Sequence, residues 1–209
     1  MFGITNYGAF IIAGILLNLT PGPDTMYILG RSIAQGKKAG VLSALGIASG
    51  CLVHTLAAGF GLSVLLSKSL LAFNIVKYLG AVYLVYLGVN AIRNAKRAGD
   101  ISDVRNQLSG RSIFWSGVLT NILNPKVALF FLAFLPQFIN PANAGSALPF
   151  LILGATFIFT GTMWCLILAL FSSAIAVKLR QNSQIKIWLE RVTGSLFILL
   201  GIRLAFTQK

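Results

Sequence analysis

Asn18-Leu19-Thr20-Pro21-Gly22-Pro23-Asp24 interrupts an apolar stretch that would otherwise run from Tyr7 to Leu29. In the other half of the chain, Asn121-Ile122-Leu123-Asn124-Pro125-Lys126 interrupts a second one. Proline removes an amide donor and crowds the carbonyl one turn back, so each stretch must break there. Lipid offers no partner for the backbone groups that are freed, and such breaks persist only inside protein or beside a watery cavity. Paired interruptions at corresponding places in two halves are the best sequence pointer to the substrate site of a secondary transporter.

The rest of the chain agrees with a membrane setting. Of 209 residues, 56% are hydrophobic and only 10% charged, against about 25% charged in an ordinary soluble domain. Six apolar segments, roughly at 7–29, 39–62, 69–92, 112–136, 147–173 and 187–206, each approach the ~20 residues that a hydrocarbon core requires. The first is not expected to be a removable signal peptide, because no Lys or Arg precedes it and no small-residue cleavage pattern follows. The expected fold is therefore an all-α membrane protein forming a single transmembrane transporter domain over 1–209.

A net charge of +13 would suggest nucleic acid for a soluble chain, but its placement reads as topology. One set of loops holds Arg31, Lys37, Lys38, Arg93, Lys96, Arg97, Arg105, Arg111, Lys178, Arg180, Lys186 and Arg191. The opposite side holds Lys68, Lys77, Arg203 and Lys209, while Lys126 lies within a span. Basic loops stay in the cytosol, which puts both termini on the external or periplasmic side of a bacterial inner membrane. Residues 137–146 carry no charge, as an external loop should.

The halves resemble one another weakly. Lys77–Leu84 in the third segment is similar to Arg191–Ile198 in the sixth, and Pro21 and Pro125 stand at similar offsets in the first and fourth. Three spans per unit force the second to cross in reverse, giving two inverted-topology three-helix repeats with helices 1 and 4 broken. Repeat one covers about 1–95, a basic linker about 96–111, and repeat two about 112–209. Gly40, Gly46, Gly50, Gly80, Gly88, Gly194 and Gly201 suit close helix packing. Tyr7, Tyr78, Trp115 and Trp188 suit the interface, where amphipathic rings settle.

Few residues could carry chemistry. Asp24 is the one carboxylate within a span, and an intramembrane ionisable group is a functional-site hypothesis by default. It could bind a substrate ammonium, carry a proton, or alternate between them. Equally, it could act as the N-cap of the short helix Thr25–Gly30. Lys126 could bind a substrate carboxylate, pair with Asp24, or snorkel along a hydrated crevice.

Asn18, Thr20, Asn121 and Asn124 could satisfy freed backbone groups or reach a zwitterion. Around Pro21, Gly22, Pro23 and Pro125, half-helix N-termini suit a carboxylate and unwound carbonyls suit an ammonium. A free amino acid presents both ends. His54, in the second segment and well towards the outer side from Asp24, is either a proton relay or a packing histidine.

No cluster suits a metal, no hydrolase triad or phosphate loop is present, and neither cofactor nor enzyme chemistry is expected. Cys51 and Cys165 lie in segments two and five, away from the breaks, and read as apolar fillers. One cysteine per half nevertheless keeps a transmembrane thiol–disulfide electron carrier in view. A non-transporting membrane scaffold or lipid-handling protein is the remaining alternative.

Residues 18–24 followed by Gly30-Arg31-Ser32, the run Gly36-Lys37-Lys38-Ala39-Gly40, and Asn124-Pro125-Lys126 followed by Phe134-Leu135-Pro136-Gln137-Phe138 together resemble the LysE/RhtB family of bacterial amino-acid exporters. The resemblance spans essentially the whole chain, and Pro21, Gly22, Pro23, Asn124, Pro125 and Lys126 stand on its two signature breaks. It implies export of free amino acids or close derivatives from the cytosol in exchange for protons. The expected partners are thus the small-molecule substrate, protons and membrane lipid, with a homodimer permitted and nucleic acid excluded.

Overall fold

The computed structural model describes residues 2–64, 70–94, 107–172 and 183–206. Most of the basic linker, residues 96–106, lies outside the described residues, as do Lys68, Lys178, Arg180 and Lys209. In chain order the helices are α1 (Tyr7–Leu19), α2 (Pro23–Leu56), α3 (Leu70–Asn94), α4 (Gly110–Ile122), α5 (Pro125–Leu129), α6 (Ala147–Leu170) and α7 (Ser183–Phe206). A π-helical turn, Ala57–Leu62, prolongs α2. Another, Phe130–Phe134, prolongs α5 and runs into the 3-10 turn Leu135–Phe138.

Local sequence sets most of these boundaries. Ser109 accepts from the Ser112 amide at 3.3 Å and Ser146 from the Leu148 amide at 3.3 Å, so serines cap α4 and α6. Asn124 caps α5 by accepting from the Lys126 amide at 3.0 Å, with Pro125 next in the first helical position. Within α2 the backbone leaves helical geometry at Gly36 (φ 83, ψ 177), a region that glycine enters without a Cβ clash. The chain reverses there, and Ser32 before the turn lies against Gly40 after it. Residues 23–35 and 37–56 are thus two antiparallel rods, and the expected cytosolic turn between segments one and two falls on Gly36.

Both breaks are present. Residues 20–22 part α1 from α2, with Gly22 extended at φ −156. Leu123 and Asn124 part α4 from α5, where the axis of residues 110–122 turns by 46° into that of residues 125–138. The helix entering each break has 13 residues, and each break is followed by a proline at the start of the next helix. Pro23 and Pro125 each stand first in the helix that follows a break. Asp24 and Lys126 then hold matching positions with opposite charges.

Helix α2 packs on α4 and α6, α1 on α6, and α3 on α7. Glycine makes the α2–α4 seam tight, since a Cβ on Gly46 would sit 3.2 Å from the Gly117 Cα and one on Gly50 2.8 Å from the Asn121 Cβ. Gly88 of α3 lies against Gly194 and Ile198 of α7. An aromatic cluster, Phe10, Phe130, Phe134, Phe138 and Phe157, fills the end near the N-terminus. A smaller aliphatic cluster around Ile28, Leu29, Ala44 and Leu168 lies towards Gly36.

The perimeter is apolar. Leu52, Phe60, Leu71, Val82 and Phe159 are among many exposed large hydrophobic residues, a surface suited to lipid rather than water. Tyr7, Tyr78, Trp115 and Trp188 are exposed with them, where an interfacial ring would be. Among the described residues, α6 and an apolar stretch within Pro23–Leu62 are long and apolar enough to cross a membrane, and α4 with residues 125–138 makes a third if taken as one bent span.

Candidate functional site

The two breaks meet at one cavity. Its water-accessible volume is about 50 Å³. At roughly 10–15 Å³ of such space per water, it has room for a few waters or a compact ligand. Asn18, Thr20, Gly22, Asp24, Asn121, Asn124 and Lys126 all line it. Of the remaining sequence candidates, Pro21 lies in the link between α1 and α2, while Pro23 and Pro125 fix the starts of α2 and α5. His54 stands behind the wall.

Side-chain bonds join the two breaks. The Lys126 ammonium donates to the Leu17 carbonyl at 2.7 Å and to the Thr20 carbonyl at 2.8 Å. Those are carbonyls that the end of α1 leaves without amide partners, and a cation at a helix C-terminus also meets the negative end of its dipole. The Thr20 hydroxyl completes this end by donating to the Leu16 carbonyl at 2.8 Å. Lys126 thus lines the cavity while backbone oxygens at the end of α1 hold its ammonium.

Asp24 does not cap its helix. Gly22 is the N-cap and Pro23 takes the first position, so Asp24 falls one residue further in and makes no capping bond. Its Oδ2 instead accepts from the Asn121 Nδ2 at 2.9 Å across the cavity. A carboxylate in the first turn still gains from the positive end of the helix dipole. His54 joins the same chain of contacts, with its Nε2 3.1 Å from the Asn121 carbonyl oxygen and its ring stacked on Phe131. Asn121 thus links His54 to Asp24, through its backbone on one side and its amide on the other.

The third wall escaped the sequence reading. Phe157, Ile158, Gly161, Thr162, Trp164 and Cys165 of α6 line the cavity, as do Ile47, Ala48 and Cys51 of α2. Neither stretch carries a proline or a charge, the two signals that exposed the breaks. The polar insert Thr160-Gly161-Thr162 next to Trp164, inside an otherwise apolar segment, was the signal available. Cys51 and Cys165 are free thiols packed in the two apolar clusters, as fillers would be, but both also line this cavity instead of lying away from the breaks.

An apolar exterior and two helix breaks, bonded to each other around a cavity that gathers Asp24, Asn121, Asn124 and Lys126, are the marks of a membrane transport protein. Residues 15–208 match the LysE type translocator family, and the chain belongs to it. The protein is accordingly an integral membrane transporter and not an enzyme. It is 36% identical to a homoserine/homoserine lactone efflux protein of Salmonella typhimurium, with 94% of each chain covered. It is 33% identical to YrhP, an uncharacterised membrane protein of Bacillus subtilis, over 93% of this chain and 96% of that one. A homoserine/homoserine lactone efflux protein of Salmonella typhi is 34% identical, again over 94% of both. No solved structure matches the chain.

Proposed function

We propose that this protein exports small free amino acids or close derivatives from the bacterial cytosol by alternating access, driven by proton antiport. The observation that carries the reading is the Asp24 carboxylate facing one cavity with Asn121, Asn124 and Lys126, where two broken helices meet. The homoserine/homoserine lactone efflux relatives make a small hydroxy amino acid or its lactone the first cargo to test. In this reading the chain has six spans in two inverted repeats, helices 1 and 4 broken, and both termini outside the cytosol. Matching break positions support that arrangement: a 13-residue helix, a short link, then proline followed by Asp24 in one half and by Lys126 in the other.

Asp24 receives the substrate ammonium in the cytosol-facing state and a proton in the outward-facing one, and His54 feels that change through Asn121. A ligand drives the cycle only by binding the two orientations differently. In purified proteoliposomes loaded with labelled homoserine, an inwardly directed proton gradient should accelerate efflux, and Asp24→Asn should abolish that acceleration with the protein still in the membrane. Efflux by Asp24→Asn matching the parent in rate and pH response would overturn the assignment of Asp24.

The position of Cys51 and Cys165 on the same wall gives the thiol–disulfide carrier a geometric footing. That reading requires both thiols, so retention of full activity by a Cys51→Ala, Cys165→Ala double variant rejects it.

A further inference from the structure

Buried polar atoms are nearly always hydrogen-bonded, and those that are not call for an explanation. Four residues lining the cavity have a buried polar atom with no hydrogen-bond partner among the described residues: Asn18 Nδ2, Asp24 Oδ1, Asn121 Oδ1 and Trp164 Nε1. They sort by chemistry and by place. The two acceptors are neighbours, because Asp24 and Asn121 are joined at 2.9 Å through their other atoms. That bond also fixes which end of the Asn121 amide is the oxygen.

The two donors belong to one side of the cavity, at the same stretch of α6. A Cβ on Gly161 would lie 3.3–3.4 Å from the Asn18 amide atoms, and Trp164 follows Gly161 by three residues on the same face of α6. Lys126 is the one lysine or arginine on the cavity wall, and its ammonium already bonds the Leu17 and Thr20 carbonyls.

We infer that the site reads the amine of its cargo with a charged group and the acyl end with neutral donors. Asp24 and Asn121 take the ammonium, and the Trp164 indole N–H with the Asn18 amide takes an acyl oxygen. This rests on the export reading above and adds its specificity. A cation would discriminate strongly between a carboxylate and an uncharged carbonyl, because charge-assisted bonds are roughly twice as strong as neutral ones. Neutral donors discriminate little. A free acid, its ester, its lactone and its amide should therefore be accepted alike, whereas acylating the amine removes the charge that Asp24 requires.

The test is competition against labelled homoserine in counterflow into proteoliposomes, using homoserine, its methyl ester, its amide, its lactone and N-acetylhomoserine. The ester, amide and lactone should compete within about threefold of the free acid, and N-acetylhomoserine should be weaker by at least about thirtyfold. Trp164→Phe keeps the ring and removes the donor, and should weaken all four amine-bearing competitors together by about tenfold. Asn18→Leu, of similar volume, should do the same and stands in if Trp164→Phe fails to assemble.

Transport of the free acid with rejection of the ester and amide would show a cation at the acyl end and overturn the inference while leaving amino-acid export intact. Unchanged competition in both variants would overturn it equally. Absence of counterflow with every amine-bearing compound would instead defeat the export reading itself.

Discussion

At the scale of single residues, Lys126 separates a structural from a binding role. Its two bonds to the end of α1 replace the amides that the break removed, and a buried acceptor left without its donor costs about 1–3 kcal/mol. Lys126→Met should lower the thermal midpoint in detergent and abolish transport, since α1 and the Asp24 side of the cavity lose their common anchor. Lys126→Arg keeps a donor and should recover most of the stability. A Lys126→Met protein as stable as the parent would show that the Leu17 and Thr20 carbonyls have other partners. Asp24 teaches the complementary lesson. Its sequence context read equally well as a cap, and the decision turned on Pro23 occupying the first helical position, which displaced Asp24 inward and left its carboxylate for Asn121.

Among the helices, the glycine seam between α2 and α4 governs the site as much as the breaks do. A Cβ at Gly50 would come 2.7 Å from the Val118 carbonyl oxygen and 2.8 Å from the Asn121 Cβ. Gly50→Ala must therefore push α4 outward and move the amide that holds Asp24. It should reduce stability by about 1–3 kcal/mol, as overpacking does, and lower transport with it. Gly61→Ala meets nothing within 4 Å and should leave both unchanged. Equal thermal midpoints and transport rates for the two variants would refute the coupling of this seam to the site.

The breaks and the glycine contacts were legible because proline, charge and small residues are conspicuous against apolar sequence. The α6 wall was not. A cavity wall in a membrane helix differs from a lipid-facing one by which way a residue points, and neither Trp164 nor Cys165 carries that information alone. The start of the helix after the first break was legible only to within two residues, since Pro21 and Pro23 are equally capable of starting one and the helix begins at Pro23.

For the whole molecule, two sets of bonds tie its opposite ends. Near Gly36, Gln35 accepts from the Leu108 amide at 3.1 Å and donates to the Leu108 carbonyl at 2.9 Å. At the far end, Thr5 donates to the Phe138 carbonyl at 2.8 Å and Asn140 to the Gly3 carbonyl at 2.7 Å, under the aromatic cluster. The first end carries Arg31, Lys37 and Lys38, and the second, residues 137–146, carries no charge. The proposed orientation, with the first end in the cytosol and the second outside, follows the positive-inside rule.

In cells bearing the Cys51→Ala, Cys165→Ala background, a cysteine at exposed Ala142 should react with a membrane-impermeant maleimide added outside. A cysteine at exposed Lys38 should react only after the membrane is opened. The opposite pattern would invert the whole topology. It would also reverse the direction in which the Asp24 cavity must face to collect cargo, because a carrier with its basic end outside would be loading from the wrong compartment.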